Sequence, residues 1–285
     1  MDRVLVTGAT GNVGREVVRA LLGRGVQVRA AGRREAVREL FGPDVEAVRL
    51  DFRDARTFHT AAVGCTALFL VRPPAISNTK ETLNPFIDAA RDSGVAHVVF
   101  LSVAGAGSNK IVPHHAVEVH LASRGRDWTL LRPGFFAQNL GDAYLRDIRE
   151  EDRLYVPAGQ ARVAFVDVRD VAEVAALVFG DALSHRAKAY TLTGPEAITF
   201  NEAAQILSAY VGRPIQYVPA SVVGYLLHLR RRGMPFAQAI IQAILHVGLR
   251  FGQAESVDPT ARTLLGRNPR TMHDYVRDYS AAWVV

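Results

Sequence analysis

Apolar positions along the chain alternate between two periods. Residues 3–7 form a short β-rich run, and across residues 12–25 apolar side chains recur at helical spacing through Val13, Val17 and Leu21. Residues 26–31 read as a second strand, 35–40 as helix, 45–50 as a third strand and 55–63 as a third helix. Residues 67–71 are an uninterrupted apolar strand closed by Arg72-Pro73-Pro74. A helix over 79–93 stopped by Gly94, a strand over 95–101, a helix over 113–123 and a strand over 128–131 follow. Strands that are apolar throughout and alternate with helices imply a parallel sheet covered on both faces. Right-handed crossovers make that an α/β, doubly wound sheet of Rossmann type.

Past Arg132-Pro133-Gly134 the alternation loosens. Strands are predicted at 163–166 and 189–192, joined by a helix over 168–179. After Thr193-Gly194-Pro195 the pattern turns mostly helical, over 201–211, 221–231, 237–249 and 271–283. The expected division is a dinucleotide-binding domain over residues 1–193 and a smaller, mostly helical substrate lobe over 194–285.

The chain has 285 residues, of which 49% are hydrophobic and 22% charged, the balance of a globular protein with room for one core and a smaller companion. A single cysteine, Cys65, excludes a disulfide framework and a cysteine-built zinc site; beside an apolar strand it reads as a small buried hydrophobe. No signal-peptide pattern opens the chain, and its apolar stretches fall short of the ~20 residues of a membrane span. A cytoplasmic protein without a membrane partner is therefore expected. The net charge of +6 comes from scattered arginines, and the densest run, Arg230-Arg231-Arg232, ends a predicted helix, where cations suit the dipole. Nucleic acid is not an expected partner.

The strongest local signal is Thr7-Gly8-Ala9-Thr10-Gly11-Asn12-Val13-Gly14, set between the first strand and the first helix. Gly8 allows the tight turn, Gly11 lets a pyrophosphate approach the backbone, and Gly14 allows close helix–strand packing. Amide groups at the helix start, backed by its dipole, suit a diphosphate. At the end of the second strand, where NAD-selective chains carry an acid, this chain reads Ala30-Ala31-Gly32-Arg33-Arg34. Arg33 would meet a 2′-phosphate, so NADP (NADPH) is the expected cofactor, with NAD the second choice. Asp51 and Phe52, past the third strand, fall where an adenine would lie; Asp51 also fits a helix N-cap.

These residues resemble the atypical short-chain dehydrogenase/reductases, in particular the NmrA-like and NADPH:quinone oxidoreductase-like group. Besides the glycine turn and Arg33, the likeness rests on Phe69-Leu70-Val71-Arg72-Pro73-Pro74, Val99-Phe100-Leu101-Ser102 and Trp128-Thr129-Leu130-Leu131-Arg132-Pro133-Gly134-Phe135-Phe136. The resemblance implies that Val71 and Arg72 line the nicotinamide ribose, that Ser102 and Pro133 lie beside the nicotinamide, and that Phe135 and Phe136 face the ring or the substrate.

The wider superfamily donates its proton from a Tyr followed four residues later by a Lys. The resemblance puts Lys110 at the Tyr position and His114 at the Lys position. His114 and Ser102 are then the candidate catalytic residues, His114 as a ribose ligand or a proton donor. His114 and Glu118 share one helical face. Although His115 and His120 are close by, no acid or cysteine cluster accompanies them, and no metal is expected. An NADPH-dependent reductase of a quinone or aromatic polycyclic ketone follows, its substrate set against the apolar lobe. A non-catalytic NADP-sensing regulator and an aromatic polyketide tailoring enzyme are the alternatives. A homodimer is left open.

Overall fold

In a computed structural model of the chain, residues 3–284 are described. Seven strands form one parallel sheet in the order β3-β2-β1-β4-β5-β6-β9. They are β1 (Arg3–Val6), β2 (Gln27–Ala31), β3 (Glu46–Val48), β4 (Ala67–Val71), β5 (His97–Leu101), β6 (Trp128–Pro133) and β9 (Lys188–Leu192). Val4 pairs with Val28 on one side and Ala67 on the other, so the strand order reverses direction at β1. In a doubly wound sheet, loops diverge at that point and leave a crevice at the carboxyl ends of the strands.

Alternate residues of these strands serve different faces. Leu5, Leu68, Leu70, Val98, Phe100 and Leu130 pack with Phe58 of α3 (Phe58–Ala62), Phe86 and Ile87 of α4 (Leu83–Asp92) and Val117 and Leu121 of α5 (Pro113–Ser123). On the other face α1 (Asn12–Leu22) packs against α7 (Val168–Gly180), which also contacts β5 and β6. Covered on both faces, the central strands β4 and β5 bury nearly every side chain. The remaining crossover helix, α2 (Arg34–Phe41), follows β2 directly.

The chain divides into two compact units. The first holds the sheet: the chain up to Pro133, Val168–Leu192 and Thr263–Gly266. The second is built from Gly134–Asp167, Thr193–Arg262 and the segment from Arg267 onward. This differs from the single boundary at residue 193, because Leu140, Tyr144, Ile148, Leu154 and Val156 bury their side chains among those of the C-terminal helices. Elements the periodicity did not predict lie there: α6 (Leu145–Glu151), and β7 (Arg153–Val156), which pairs in parallel with β11 (Gln216–Pro219). The strand expected at 163–166 shrinks to β8 (Arg162–Val163), paired antiparallel with β10 (Ile198–Thr199). Helices α8 (Phe200–Val211), α9 (Val222–Arg231), α10 (Phe236–Leu249), α11 (Thr260–Leu265) and α12 (Met272–Tyr279) account for most of the remainder.

Candidate functional site

The end of β1 is tied to the end of β4 by one hydroxyl. Thr7 Oγ1 donates to the Phe69 carbonyl at 3.2 Å and accepts from the Val71 amide at 2.7 Å. Next to it, Gly8 adopts φ +61, which favours glycine, and its carbonyl accepts from the Gly11 amide at 2.9 Å. A Cβ on Gly14 would lie 2.2 Å from that same carbonyl oxygen, so no other residue fits without moving the turn. The sequence assigned Gly14 to packing of helix on strand; its close neighbour is instead the carbonyl of Gly8 inside the turn.

Gly11 caps α1 in an extended conformation without a side-chain cap, Asn12 and Val13 open the helix, and its first turn holds no acid. A helix N-terminus left in that state attracts an anion. Further along the helix, Glu16 is held by Arg19 at 2.7 Å and Arg15 at 3.6 Å.

A cavity of about 820 Å³ extends from Thr10 past Gly32 and Arg33 to Val48 and Leu50. Arg33 is the N-cap residue of α2, is exposed, and makes no hydrogen bond or ion pair among the described residues. Arg34 and Arg49 line the same cavity, so three arginines outnumber Glu35 and Glu39 there. A smaller cavity of about 270 Å³, lined by Gly8, Ala31, Asp51, Phe52 and Ile76, continues from the glycine turn. Asp51 is not a helix N-cap: one of its oxygens accepts from the Arg53 amide at 2.9 Å, and the neighbouring 3-10 turn is capped by Asp54. Phe52 is mostly core, meeting Phe86 edge-on at 5.3 Å, and only borders the cavity. The fit for a dinucleotide carrying an additional phosphate is good: a turn no side chain may fill, an unneutralised helix start and unpaired guanidinium groups in sequence.

At the other end of the sheet crevice, Arg72 is buried enough to lower its pKa below the usual guanidinium value. Its Nη1 donates to the carbonyls of Pro73 at 3.0 Å, Pro74 at 3.3 Å and Ile76 at 2.6 Å, which pins the loop after β4. Its Nε donates to His114 Nε2 at 3.2 Å. His114 therefore carries its proton on Nδ1, and burial, reinforced by the charge of Arg72, lowers its pKa to about 4. A cationic His114 ready to donate a proton at neutral pH is not what this environment holds. Burial and a neighbouring cation both disfavour the imidazolium that proton donation from His114 would need.

Ser102 is buried, and its hydroxyl donates to Glu118 Oε1 at 2.5 Å. Arg132 completes the cluster with a bidentate pair on Glu118, at 2.9 and 2.6 Å. The Ser102 hydroxyl is thus committed to a carboxylate and positions β5 against α5; it is not free to donate to a substrate. Pro133 ends β6, where its carbonyl accepts from the Ala104 amide at 2.9 Å. Sequence reasoning placed Glu118 beside His114 but missed its partners. The available signal was two charges, Glu118 and Arg132, each set in an apolar run, because a buried charge requires an opposite one.

Lys110 does not join His114. It lines a groove of about 610 Å³ with Lys80, Asn84, His115 and His120. The three histidines find three different partners: His114 takes Arg72, His115 the Ala106 carbonyl at 2.8 Å, and His120 the carboxylate of Asp88 at 3.0 Å. Cys65 is buried, and burial raises its thiol pKa.

Phe135 and Phe136 belong to the second unit. Phe135 sits edge-on to Phe165 at 5.6 Å, Phe200 at 6.2 Å and His246 at 5.9 Å, a geometry favoured by aromatic quadrupoles. His246 is itself fixed, accepting from the Tyr144 hydroxyl and donating to the Gln242 carbonyl at 2.7 Å. Phe136 is half-buried and bridges to Val166.

These features define a dinucleotide-binding α/β protein with an apolar, aromatic second unit. The chain belongs to the NmrA-like family, which it matches over residues 1–276. It is 32% identical to an NAD(P)H azoreductase of Xenophilus azovorans over 98% of this chain and 99% of that one. Among solved structures it resembles the Escherichia coli NADPH-dependent quinone oxidoreductase complexed with NADPH, with a TM-score of 0.85 and 25% identity over 97% of this chain and 99% of the other. The Citrobacter triphenylmethane reductase complexed with NADP(H) is equally similar, with a TM-score of 0.84 and 26% identity over 96% and 99%.

Proposed function

We propose that the chain is an NADPH-dependent reductase of a quinone or aromatic polycyclic ketone that works without the tyrosine–lysine pair. The cofactor half of this proposal is supported by Arg33, an exposed guanidinium without a partner among the described residues, which would face the 2′-substituent of the adenosine ribose. Gly8, Thr10, Gly11, Asn12, Val13 and Gly14 would hold the diphosphate, Asp51 and Phe52 would border the adenine, and Val71, Arg72 and Pro133 would flank the nicotinamide. When bound, NADPH supplies a hydride.

The substrate half is carried by one observation: the titratable side chain expected at the reaction centre, His114, is held neutral and already accepts a bond from Arg72. Without a proton donor, the acceptor has to be one whose reduced anion survives until water protonates it. Quinones satisfy that condition, since hydride addition yields an aromatic hydroquinone anion. Simple ketones give a basic alkoxide and do not. The relatives named above act on an azo compound, a quinone and a triphenylmethane, each a conjugated acceptor. Positioning then does most of the work.

Steady-state NADPH oxidation with a panel of quinones, polyaromatic ketones and simple aliphatic ketones tests this. Turnover of the quinones with none of the aliphatic ketones is expected. Tight NADPH binding without turnover of any acceptor would instead assign the chain to nucleotide sensing.

A further inference from the structure

The second unit turns an apolar face outward. In α10 Ala239, Ala243, His246 and Leu249 are buried, whereas Ile241, Ile244 and Leu245 are 59, 64 and 58% exposed. Their spacing puts the three on one stripe. On α9, which packs against α10, Val223 and Leu227 lie one turn apart and are also exposed. Phe236 at the start of α10 and Phe251 just past its end add two exposed aromatic rings. A surface helix of a soluble domain is ordinarily built the other way round, and an exposed apolar surface of this kind marks an interaction site.

Charge narrows the partner. Between Glu202 and Glu255 the sequence has no acidic residue and five arginines. Arg213 pairs with Asp152, and Arg232 with Asp147 and Glu151. Arg230, Arg231 and Arg250 are exposed and have no carboxylate partner among the described residues. Among the described residues, Arg230 and Arg250 donate only to backbone carbonyls, of Met234 for the first and of Pro157 and Ala220 for the second.

We propose that the α9–α10 face is a peripheral docking surface for an anionic lipid bilayer. Ile241, Ile244, Leu245, Val223 and Leu227 enter the boundary between headgroups and acyl chains, and Arg230 and Arg231 meet lipid phosphates. A second copy fits less well: in a symmetric contact the patch meets itself, arginine against arginine, with no acid in the segment to answer. Nor is a span involved. With 14 residues, α10 is too short for one, and no helix among the described residues is long and apolar enough to cross a membrane. An amphipathic helix lies on a bilayer without spanning it, so short helices do not exclude a membrane partner. If the proposed function is right, such docking would place the reductase where apolar quinones dissolve, a consequence that rests on that reading although the surface itself does not.

Co-sedimentation of the full chain with vesicles of phosphatidylcholine, and of phosphatidylcholine mixed with phosphatidylglycerol, tests the surface directly. Binding should be stronger to the mixed vesicles and weaken with salt. Arg230→Ala with Arg231→Ala should lower the partition coefficient on mixed vesicles by roughly tenfold or more, at about fivefold per arginine. Ile244→Glu with Leu245→Glu should lower it on both kinds of vesicle. Absence of binding to mixed vesicles at low salt, or binding indifferent to both pairs of substitutions, would overturn the proposal. So would self-association in sedimentation velocity that Ile244→Glu abolishes, which would assign the face to a second copy. Turnover of a water-soluble quinone by the same preparations keeps failure of docking separate from failure of the reductase reading.

Discussion

Replacing Arg33 by alanine should separate the two nicotinamide cofactors. Its guanidinium stands at the N-cap of α2, without a partner among the described residues, over the cavity that runs from Thr10 to Leu50. A hydrogen bond to a charged group contributes about 1.5–3 kcal/mol when well formed. Arg33 is exposed, so solvent screening reduces that to roughly 1–2 kcal/mol. The Kd for NADPH should therefore rise about 5- to 30-fold, and that for NADH, which lacks the phosphate, should change by less than about twofold. Arg34 and Arg49 line the same cavity, so Arg33→Ala with Arg34→Ala should lose more than the single change. Fluorescence titration of both cofactors at two salt concentrations supplies the measurement, and salt should weaken NADPH more than NADH. Equal losses for the two cofactors would refute the reasoning, because Arg33 would then be acting on the shared part of the molecule or on the fold.

Two further outcomes follow from buried groups. Glu118→Ala strands Arg132 and the Ser102 hydroxyl together, and should cost about 2–4 kcal/mol in urea unfolding; Glu118→Gln, which keeps the shape and part of the bonding, should cost visibly less. Burial holds both His97 and His114 to a pKa of about 4, below the usual 6.5. The unfolded chain then binds more protons than the folded one between about pH 4 and 6.5, so stability rises with pH across that window and is level above it, by at most about 3 kcal/mol for each group. Unfolding midpoints measured from acid to neutral pH check the sign, and His114→Gln should shrink the slope. In the same variant kcat/KM should show no loss of a limb near neutral pH, since His114 does not titrate there; disappearance of such a limb would restore it as a proton donor.

The sheet was legible because its central strands are covered on both faces and read largely as apolar runs, as in residues 67–71 and 98–101. The glycine turn was legible because it is local: every contact that demands Gly8 and Gly14 lies within a few residues of them. By contrast, β7 and β11 pair across some sixty residues, Tyr217 beside Leu154, and each is only four residues long. Short segments of that kind carry too little period to declare themselves, and their pairing is decided by the tertiary fold. The domain boundary slipped for the same reason. Residues 134–167 follow the last predicted strand of the sheet in sequence, but Tyr144, Ile148 and Leu154 are claimed by helices that come much later.

Within the candidate site, helical periodicity placed His114 and Glu118 on one face, and the face is all that spacing can give. The two side chains lead to different partners, Arg72 for one and Ser102 with Arg132 for the other, each arriving from another strand end. That division bears on the chemistry. Where the resemblance puts the lysine of the superfamily's pair, this chain holds a neutral imidazole against a permanently charged guanidinium, itself anchored to the carbonyls of Pro73, Pro74 and Ile76, and Lys110 at the tyrosine position lies apart from it. A fixed cation stabilises negative charge that develops on an acceptor without giving up a proton. Being anchored in advance, it costs little reorganisation when that charge appears. On the proposed reading, Arg72 stands in for the missing acid by electrostatics alone. Such a site suits acceptors that tolerate an anion and fails with those that need a proton in the transition state.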